Sequence, residues 1–155
     1  MELILATACG AKKESSRLPA WRLYRSSRIR HLKKVTEAYG VPIYILSAKH
    51  GLINSDTVID PYDEVLTEEK FEALKPVVLS QLRELKRKGL RRILFYRGGA
   101  RKLYLDLLMA SALKLSLNVI YYGSGNMRDI GLTPYLLERL VSRNGGISTN
   151  RRAKA

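Results

Sequence analysis

The chain has 155 residues, of which 46% are hydrophobic and 27% are charged, as is ordinary for a soluble globular protein. It carries 28 lysines and arginines against 14 acidic residues, so the formal net charge is +14. A charge excess of this size predicts a polyanionic partner, nucleic acid before an anionic membrane surface.

Three absences limit the location of the protein. No run of about 18 apolar residues is present, so the sequence predicts no membrane-spanning helix. The first six residues carry no cationic leader, so they predict a strand and not a signal peptide. Cys9 is the only cysteine, which excludes an internal disulfide and favours the cytoplasm.

Apolar runs alternate with helical periodicity along the chain. The apolar runs predict strands over residues 3–8, 43–46, 92–96 and 117–122. The periodic segments predict helices over 21–39, 67–89, 100–115 and 133–141. Thr67 is the expected N-cap of the second helix, and Pro76 is expected to kink or split it. Residues 51–66 form a long connection without a predicted element.

This alternation predicts an α/β fold of one domain, residues 1–146, followed by a basic and disordered tail, residues 147–155. Right-handed crossovers favour a four-stranded parallel sheet with helices on both faces, which makes three layers. The carboxyl ends of parallel strands share one edge of a sheet, and ligands bind there in open α/β folds.

Polar, cationic or glycine-bearing loops follow all four predicted strands, and we expect the site among them. Lys49 and His50 are adjacent, so the cation disfavours the imidazolium and leaves His50 neutral as a base or electrophile. Asp60 and Asp63 are the candidate carboxylates beside them, giving four predicted catalytic residues. The alternative is structural: His50 caps the strand, and residues 60–63 form a turn. The predicted substrate-binding residues are Cys9, Lys12, Lys13, Tyr24, Ser47, Gly51, Tyr62, Arg97, Gly98 and Ser124.

Three of these loops invite further chemistry. Cys9 lies near several lysines that would lower the pKa of a nucleophilic thiol, although a lone cysteine after a strand is more often a packed residue. Gly98-Gly99 and Gly123-Ser124-Gly125 precede helices and could receive phosphate, but neither matches a known fingerprint. The soft ligands match no metal spacing, so we expect neither a metal nor another cofactor.

The helix predicted over 21–39 contains the densest basic run. We expect it to contact phosphates, with a merely solvated face as the alternative, because only Glu14 and Glu37 oppose its charge. The predicted nucleic-acid-binding residues are Arg17, Arg22, Arg25, Arg28, Arg30, Lys33 and Lys34.

Several motifs resemble those of a family of short, largely uncharacterised proteins. That family has a Cys and a Lys after its first strand, then Leu-Tyr-x-Ser, then Leu-Ser-Ala-Lys-x-Gly-Leu, and finally Pro-Tyr-Asp. The matching positions here are Cys9, Lys12 or Lys13, and the segments 23–26, 46–52 and 61–63.

The same segments resemble two better-studied families. Peroxide-stress YaaA proteins, which are implicated in DNA binding, have a comparable block that leads to Pro-Tyr, with Tyr at the position of His50 and Arg at that of Asp63. A domain of archaeosine synthases has a similar early Cys-x-x-Lys and a later Tyr-Asp, and it is likened in fold to uracil-DNA glycosylases. This resemblance implies a uracil-DNA-glycosylase-like sheet and a substrate in DNA or tRNA.

These observations leave three functional hypotheses. The first is a nucleic-acid-binding protein that acts on a nucleobase or its N-glycosidic bond, with the base taken out of the stack. The second is a DNA- or RNA-binding module without catalysis, of a stress-protective type. The third is an enzyme acting on small nucleotides or ribose phosphates, in which the positive charge attracts phosphate.

Overall fold

The computed structural model describes residues 1–124 and 128–146, with side chains up to residue 142. The predicted tail and Gly125 of the second glycine motif lie outside the described residues. The strands are β1 (Leu3–Ala8), β2 (Leu18–Pro19), β3 (Ile43–Ser47), β4 (Gly51–Asn54), β5 (Val58–Ile59), β6 (Arg92–Tyr96) and β7 (Asn118–Tyr122). The helices are α1 (Ala20–Leu23), α2 (Ser27–Tyr39), α3 (Glu68–Arg87), α4 (Lys102–Lys114) and α5 (Thr133–Gly146), the last preceded by a 3-10 turn, Arg128–Leu132.

The main sheet is mixed and has five strands in the order β4-β3-β1-β6-β7. The four predicted strands are present and run parallel, with Leu5 opposite Ile43 on one side and Leu94 on the other. The prediction of an all-parallel, four-stranded sheet is wrong, because β4 turns back after β3 and pairs with it antiparallel. A second, two-stranded sheet joins β2 to β5, so residues 51–66 hold two strands that the sequence pattern did not indicate.

Alternating strand residues pack against helices on both faces. Ile4, Ala6 and Ala8 belong to the cluster with α3 and α4, whereas Leu3 and Leu5 belong to the cluster with α2 and α5. Each buried leucine in these clusters stabilises the fold by about 1.5–3 kcal/mol. The α/β prediction with helices on both faces is confirmed.

Three predicted helices differ from those observed. The helix predicted over 133–141 continues to Gly146 as α5. The predicted helix over 21–39 is two helices, because Ser26 adopts an extended backbone and its Oγ accepts the N–H of Ile29 as the N-cap of α2. Helix α3 runs unbroken through Pro76. Pro76 and Glu72 are both exposed, so the carbonyl that loses its donor lies on the solvent side of α3. Thr67 is the N-cap of α3 as predicted, since its hydroxyl accepts the N–H of Lys70.

Candidate functional site

A cleft of about 420 Å³ opens where β1 ends. Its walls are the loop after β1, the first turn of α2, the start of α4 and residues 64–65. The parallel strands bring these segments to the same edge of the sheet, as the topology predicts. Its lining consists of Cys9, Gly10, Ala11, Lys12, Arg25, Ser26, Ser27, Arg28, Glu64, Val65, Gly99, Ala100, Arg101 and Tyr104.

Cys9 lines this cleft and is partly buried. Its backbone N–H donates to the carbonyl of Leu46, which extends the β1–β3 pairing by one residue. Its Sγ is 3.4 Å from the hydroxyl of Tyr104 on α4, and burial, followed by the nearby thiol, raises the pKa of that phenol. Cys9 is partly exposed, and its thiol is hydrogen-bonded to a phenol that keeps its proton.

Arg28 departs most from its prediction. It is only 6% exposed, so it does not belong to a solvated basic face. Its Nη1 donates to Thr7 Oγ1 at 2.6 Å and to the Ala8 carbonyl at 2.9 Å. The Thr7 hydroxyl donates onward to the carbonyl of Tyr96, which leaves it free to accept from Arg28. Burial lowers the pKa of this guanidinium.

A second polar cluster centres on Tyr62. Its hydroxyl lies 2.5 Å from that of Tyr24 and 2.7 Å from Ser47 Oγ. Ser47 Oγ also accepts the N–H groups of Lys49 and His50, so its single proton is donated to Tyr62. Burial raises the pKa of Tyr24 to about 12, and it raises the pKa of Tyr62 as well. Both phenols therefore keep their protons at neutral pH.

The predicted pair Lys49 and His50 lies beside Tyr62. The imidazole meets the Tyr62 ring edge-on with 5.5 Å between centroids, and the Lys49 ammonium is 6.0 Å from the same centroid. Lys13 Nζ is 4.4 Å from it, so a cation covers one face of this ring. Burial, and then the charge of Lys49, lowers the pKa of His50, whereas Glu64 acts in the opposite direction. These causes favour a neutral imidazole, as the Lys49 neighbour predicts.

Gly51 has a structural reason for being glycine. It begins β4 with φ at +75°, a conformation that side chains disfavour. A Cβ there would lie 2.5 Å from Gln81 Oε1. Gln81 accepts the N–H of Leu52 and donates to the carbonyl of His50, so one amide on α3 holds both sides of this turn. The predicted residues Ser47 and Gly51 therefore support the turn that presents Lys49 and His50.

Other predicted site residues lie outside the lining of the cleft. Asp60 is 71% exposed and forms an ion pair with Arg17, which is 61% exposed, and Asp63 is also exposed. Arg97 lies over Tyr121 on the edge strand β7. Gly98 packs against the buried Tyr96, and Ser124 follows β7. Sequence analysis missed Glu64, Arg101 and Tyr104 of the lining. Glu64 lies near the end of the long connection over 51–66, and Arg101 and Tyr104 lie near the start of the helix predicted over 100–115. These positions next to predicted helix starts are the sequence signal that could have indicated them.

Exposed cations lie on the loop after β1 and on and around helices α1 and α2, and two of them, Lys12 and Arg25, line the cleft. We call this surface the basic face and define it as Lys12, Arg17, Arg22, Arg25, Arg30 and Lys34. Glu14 lies 3.9 Å from Arg25 and 3.8 Å from Arg30, at the limit of an ion pair. Arg22 and Lys34 have no carboxylate partner in residues 1–124 and 128–142. Lys33, predicted to be part of this face, is largely covered and is paired with Glu37 and Asp56.

The described helices contain no segment that is both long and apolar enough to cross a bilayer. No group of three or more metal-ligating His, Cys, Asp or Glu side chains occurs within the part of the chain that the structure describes.

Comparison with known families matches residues 4–121 to "Family of unknown function (DUF6884)". The chain belongs to this family. The DUF6884 match runs from β1 to within one residue of the end of β7, so it includes the whole cleft lining and the Tyr62 cluster. No curated protein and no solved structure matches the chain significantly.

Proposed function

We propose that this DUF6884 protein binds nucleic acid along its basic face and receives one nucleotide of the bound strand in the cleft. One observation carries the proposal: Lys12 and Arg25 belong both to the basic face and to the cleft lining. A strand held by its phosphates on this face would therefore pass over the opening. Ligand cavities in proteins commonly have about 300–1,000 Å³, and the observed volume of about 420 Å³ fits one nucleotide.

The chemistry that we propose in the cleft is cleavage or exchange at an N-glycosidic bond. In hydrolysis, water adds to the sugar carbon while the base leaves with the bonding electrons, and the proton released by water passes to a carboxylate and then to the base. Glu64 suits the carboxylate role better than Asp60 or Asp63, because it lines the cleft. The resemblance to the glycosylase-like domain of archaeosine synthases supports this assignment, as does the parallel core of the sheet.

Salt-dependent binding tests the nucleic-acid part. Single-stranded DNA, duplex DNA and tRNA are titrated between about 50 and about 200 mM salt. Reversing two cations that lack a carboxylate partner, Arg22→Glu with Lys34→Glu, should weaken binding and lower the salt slope by about 2. The matched control, Arg83→Glu with Lys88→Glu, makes the same charge change on α3 and its C-cap across the sheet. Equal weakening by both pairs would show that only net charge matters.

A base-release assay tests the catalytic part separately. Free bases are measured by chromatography after incubation with tRNA and with damaged or modified DNA. Glu64→Gln should retain strand binding and lose release, because it removes the proton acceptor but keeps the size of the side chain. A folded wild-type protein that binds these strands and releases no base would remove the enzyme assignment and leave a binding module.

The cleft also supports a second candidate, an enzyme acting on a free nucleotide or a ribose phosphate. The specific observation is that the cleft volume of about 420 Å³ has room for one small molecule, and residues 64–65 form one of its walls. This candidate predicts strong thermal stabilisation by a mononucleotide and little affinity for long strands. The same binding panel therefore separates it from the first.

We further propose a cytoplasmic location. The single Cys9 lies partly exposed in the cleft as a free thiol, a state that a reducing compartment preserves. Fractionation of cells that produce a tagged form of the protein would test this location.

A further inference from the structure

Arg28 is a buried positive charge for which the described chain provides no counter-ion. Its Nη1 hydrogen bonds reach only a neutral hydroxyl and a neutral carbonyl, those of Thr7 and Ala8. No carboxylate in residues 1–124 and 128–142 lies within ion-pair distance of it. Keeping an unpaired guanidinium in a largely buried place is unfavourable, and a bound anion would remove that cost.

The donors of Arg28 are only partly used. A guanidinium has five N–H groups, and the two described bonds both leave from Nη1. The groups on Nε and Nη2 have no acceptor among the described residues. They are not among the fully buried unpartnered atoms of the described residues, and Arg28 lines the cleft, so they are open to its volume. Arg28 is thus an incompletely bonded cation, more than nine-tenths buried, that borders an open volume.

The first turn of α2 adds further donors at the same place. Helix α2 has 13 residues, and the side chain of its N-cap Ser26 accepts only the N–H of Ile29. The backbone N–H groups of Ser27 and Arg28 have no acceptor among the described residues, and both residues line the cleft. A helix N-terminus carries a partial positive charge and favours anions.

The balance of charge in the lining favours a doubly charged anion. Four cationic side chains, Lys12, Arg25, Arg28 and Arg101, face one carboxylate, Glu64. Glu64 is itself paired with Lys70 at 3.2 Å, so it is already compensated.

We infer that the cleft contains a phosphomonoester site in which Arg28 and the first turn of α2 bind the phosphate. The ligand is the phosphate of a nucleotide or sugar phosphate, or the 5′-terminal phosphate of a strand. This inference deepens the proposed function, on which it rests for the nucleic-acid source of the phosphate. The remaining cleft volume would hold the attached sugar and base.

The test measures phosphate binding without any nucleic acid. Inorganic phosphate and ribose 5-phosphate are titrated by calorimetry at constant ionic strength, with chloride as the balancing ion. Wild-type protein should bind both, and Arg28→Met should weaken binding at least about tenfold, because hydrogen bonds to charged groups are among the strong ones. Thermal unfolding without phosphate checks that Arg28→Met is folded.

A second variant keeps the test decisive if Arg28→Met fails to fold. Ser27→Pro removes one cleft N–H at the first position of α2, where proline is tolerated. The preceding Ser26 is already extended, with φ at −135° and ψ at 113°, as a residue before proline prefers. Ser27→Pro should weaken phosphate binding several-fold with little change in stability. Glu68→Pro makes the same change at the start of α3, outside the cleft lining, and should not weaken it.

Two oligonucleotides identify the source of the phosphate. If a 5′-phosphorylated strand binds about tenfold tighter than its 5′-hydroxyl form, and Arg28→Met abolishes that difference, the ligand is a strand end. If ribose 5-phosphate binds and the two strands do not differ, the ligand is a free phosphomonoester. The inference is overturned if neither phosphate compound binds wild type, or if both cleft variants bind as wild type does. Strand binding that depends on Arg22 and Lys34 would still support the proposed function in that case.

Discussion

Replacing Gly51 by alanine tests the turn that presents Lys49 and His50. Alanine in the left-handed region costs about 1–2 kcal/mol, and Gly51 has φ at +75°. The new Cβ would lie 2.5 Å from Gln81 Oε1, so the amide must move and release Leu52 N–H and the His50 carbonyl. Each hydrogen bond contributes about 0.5–1.5 kcal/mol, so Gly51→Ala should lower the free energy of unfolding by about 2–5 kcal/mol.

Gly40→Ala is the matched control for this prediction. Gly40 has φ at +66°, and the new Cβ would have no neighbouring atom within 4 Å, so only the backbone strain of about 1–2 kcal/mol applies. Any change in the entropy of the unfolded chain is common to both variants and cancels in their difference. Urea unfolding followed by circular dichroism gives both values. Equal destabilisation of the two variants would show that Gln81 does not hold the turn, and the structural explanation of Gly51 would then be wrong.

Three further predictions concern a cap and two titrating groups. Thr67→Ala removes the N-cap of α3 and should destabilise the protein by about 1 kcal/mol in the same urea assay. Burial in the folded protein raises the pKa of Tyr24 from 10.0 to about 12. The protonated phenol therefore contributes fully to the free energy of unfolding below about pH 10, and this contribution is lost as the pH rises toward 12. Tyr24→Phe should therefore show a shallower alkaline loss of the urea midpoint. His50 should titrate below the ordinary value of 6.5 by proton NMR, and its contribution to stability should be lost as the pH falls through that lowered pKa. Lys49→Ala should raise the pKa of His50, and an unchanged pKa would exclude Lys49 as a cause.

The four parallel strands of the main sheet could be predicted because each appears in the sequence as a short run of apolar residues. The strands predicted over residues 3–8 and 92–96 have the observed bounds, and the other two predicted strands lie within one residue of the structure at each end. The antiparallel strand β4 was missed because it begins with a glycine and ends with Asn54, both poor strand formers. Its place in the sheet depends on pairing with β3 and on the Gln81 amide, neither of which is a local property of the sequence.

The position of the candidate cleft could be predicted from topology, but the set of residues that line it could not. Strand order places the loop after β1 at the cleft, and two predicted substrate-binding residues, Cys9 and Lys12, line it. Asp60 and Asp63 are the predicted carboxylates because they flank a Pro-Tyr motif. Glu64 carries no such signal, and residue spacing cannot tell which side of an irregular loop faces inward. The structure settles that question through Leu66, whose buried side chain and hydrogen bond from Arg101 fix the end of that loop.

The basic run around α2 contains both exposed and buried arginines, and this difference decides which of them can be mutated to test nucleic-acid binding. Arg25 and Arg30 are exposed, so charge reversal there changes long-range attraction with little effect on the core. Arg28 looks the same in sequence, yet its donors hold Thr7 and the end of β1. Reversing it would bury a carboxylate against those same acceptors and unfold the strand end. A variant that reverses the whole run would therefore confuse lost affinity with lost structure, whereas reversal of Arg22 and Lys34 separates the two.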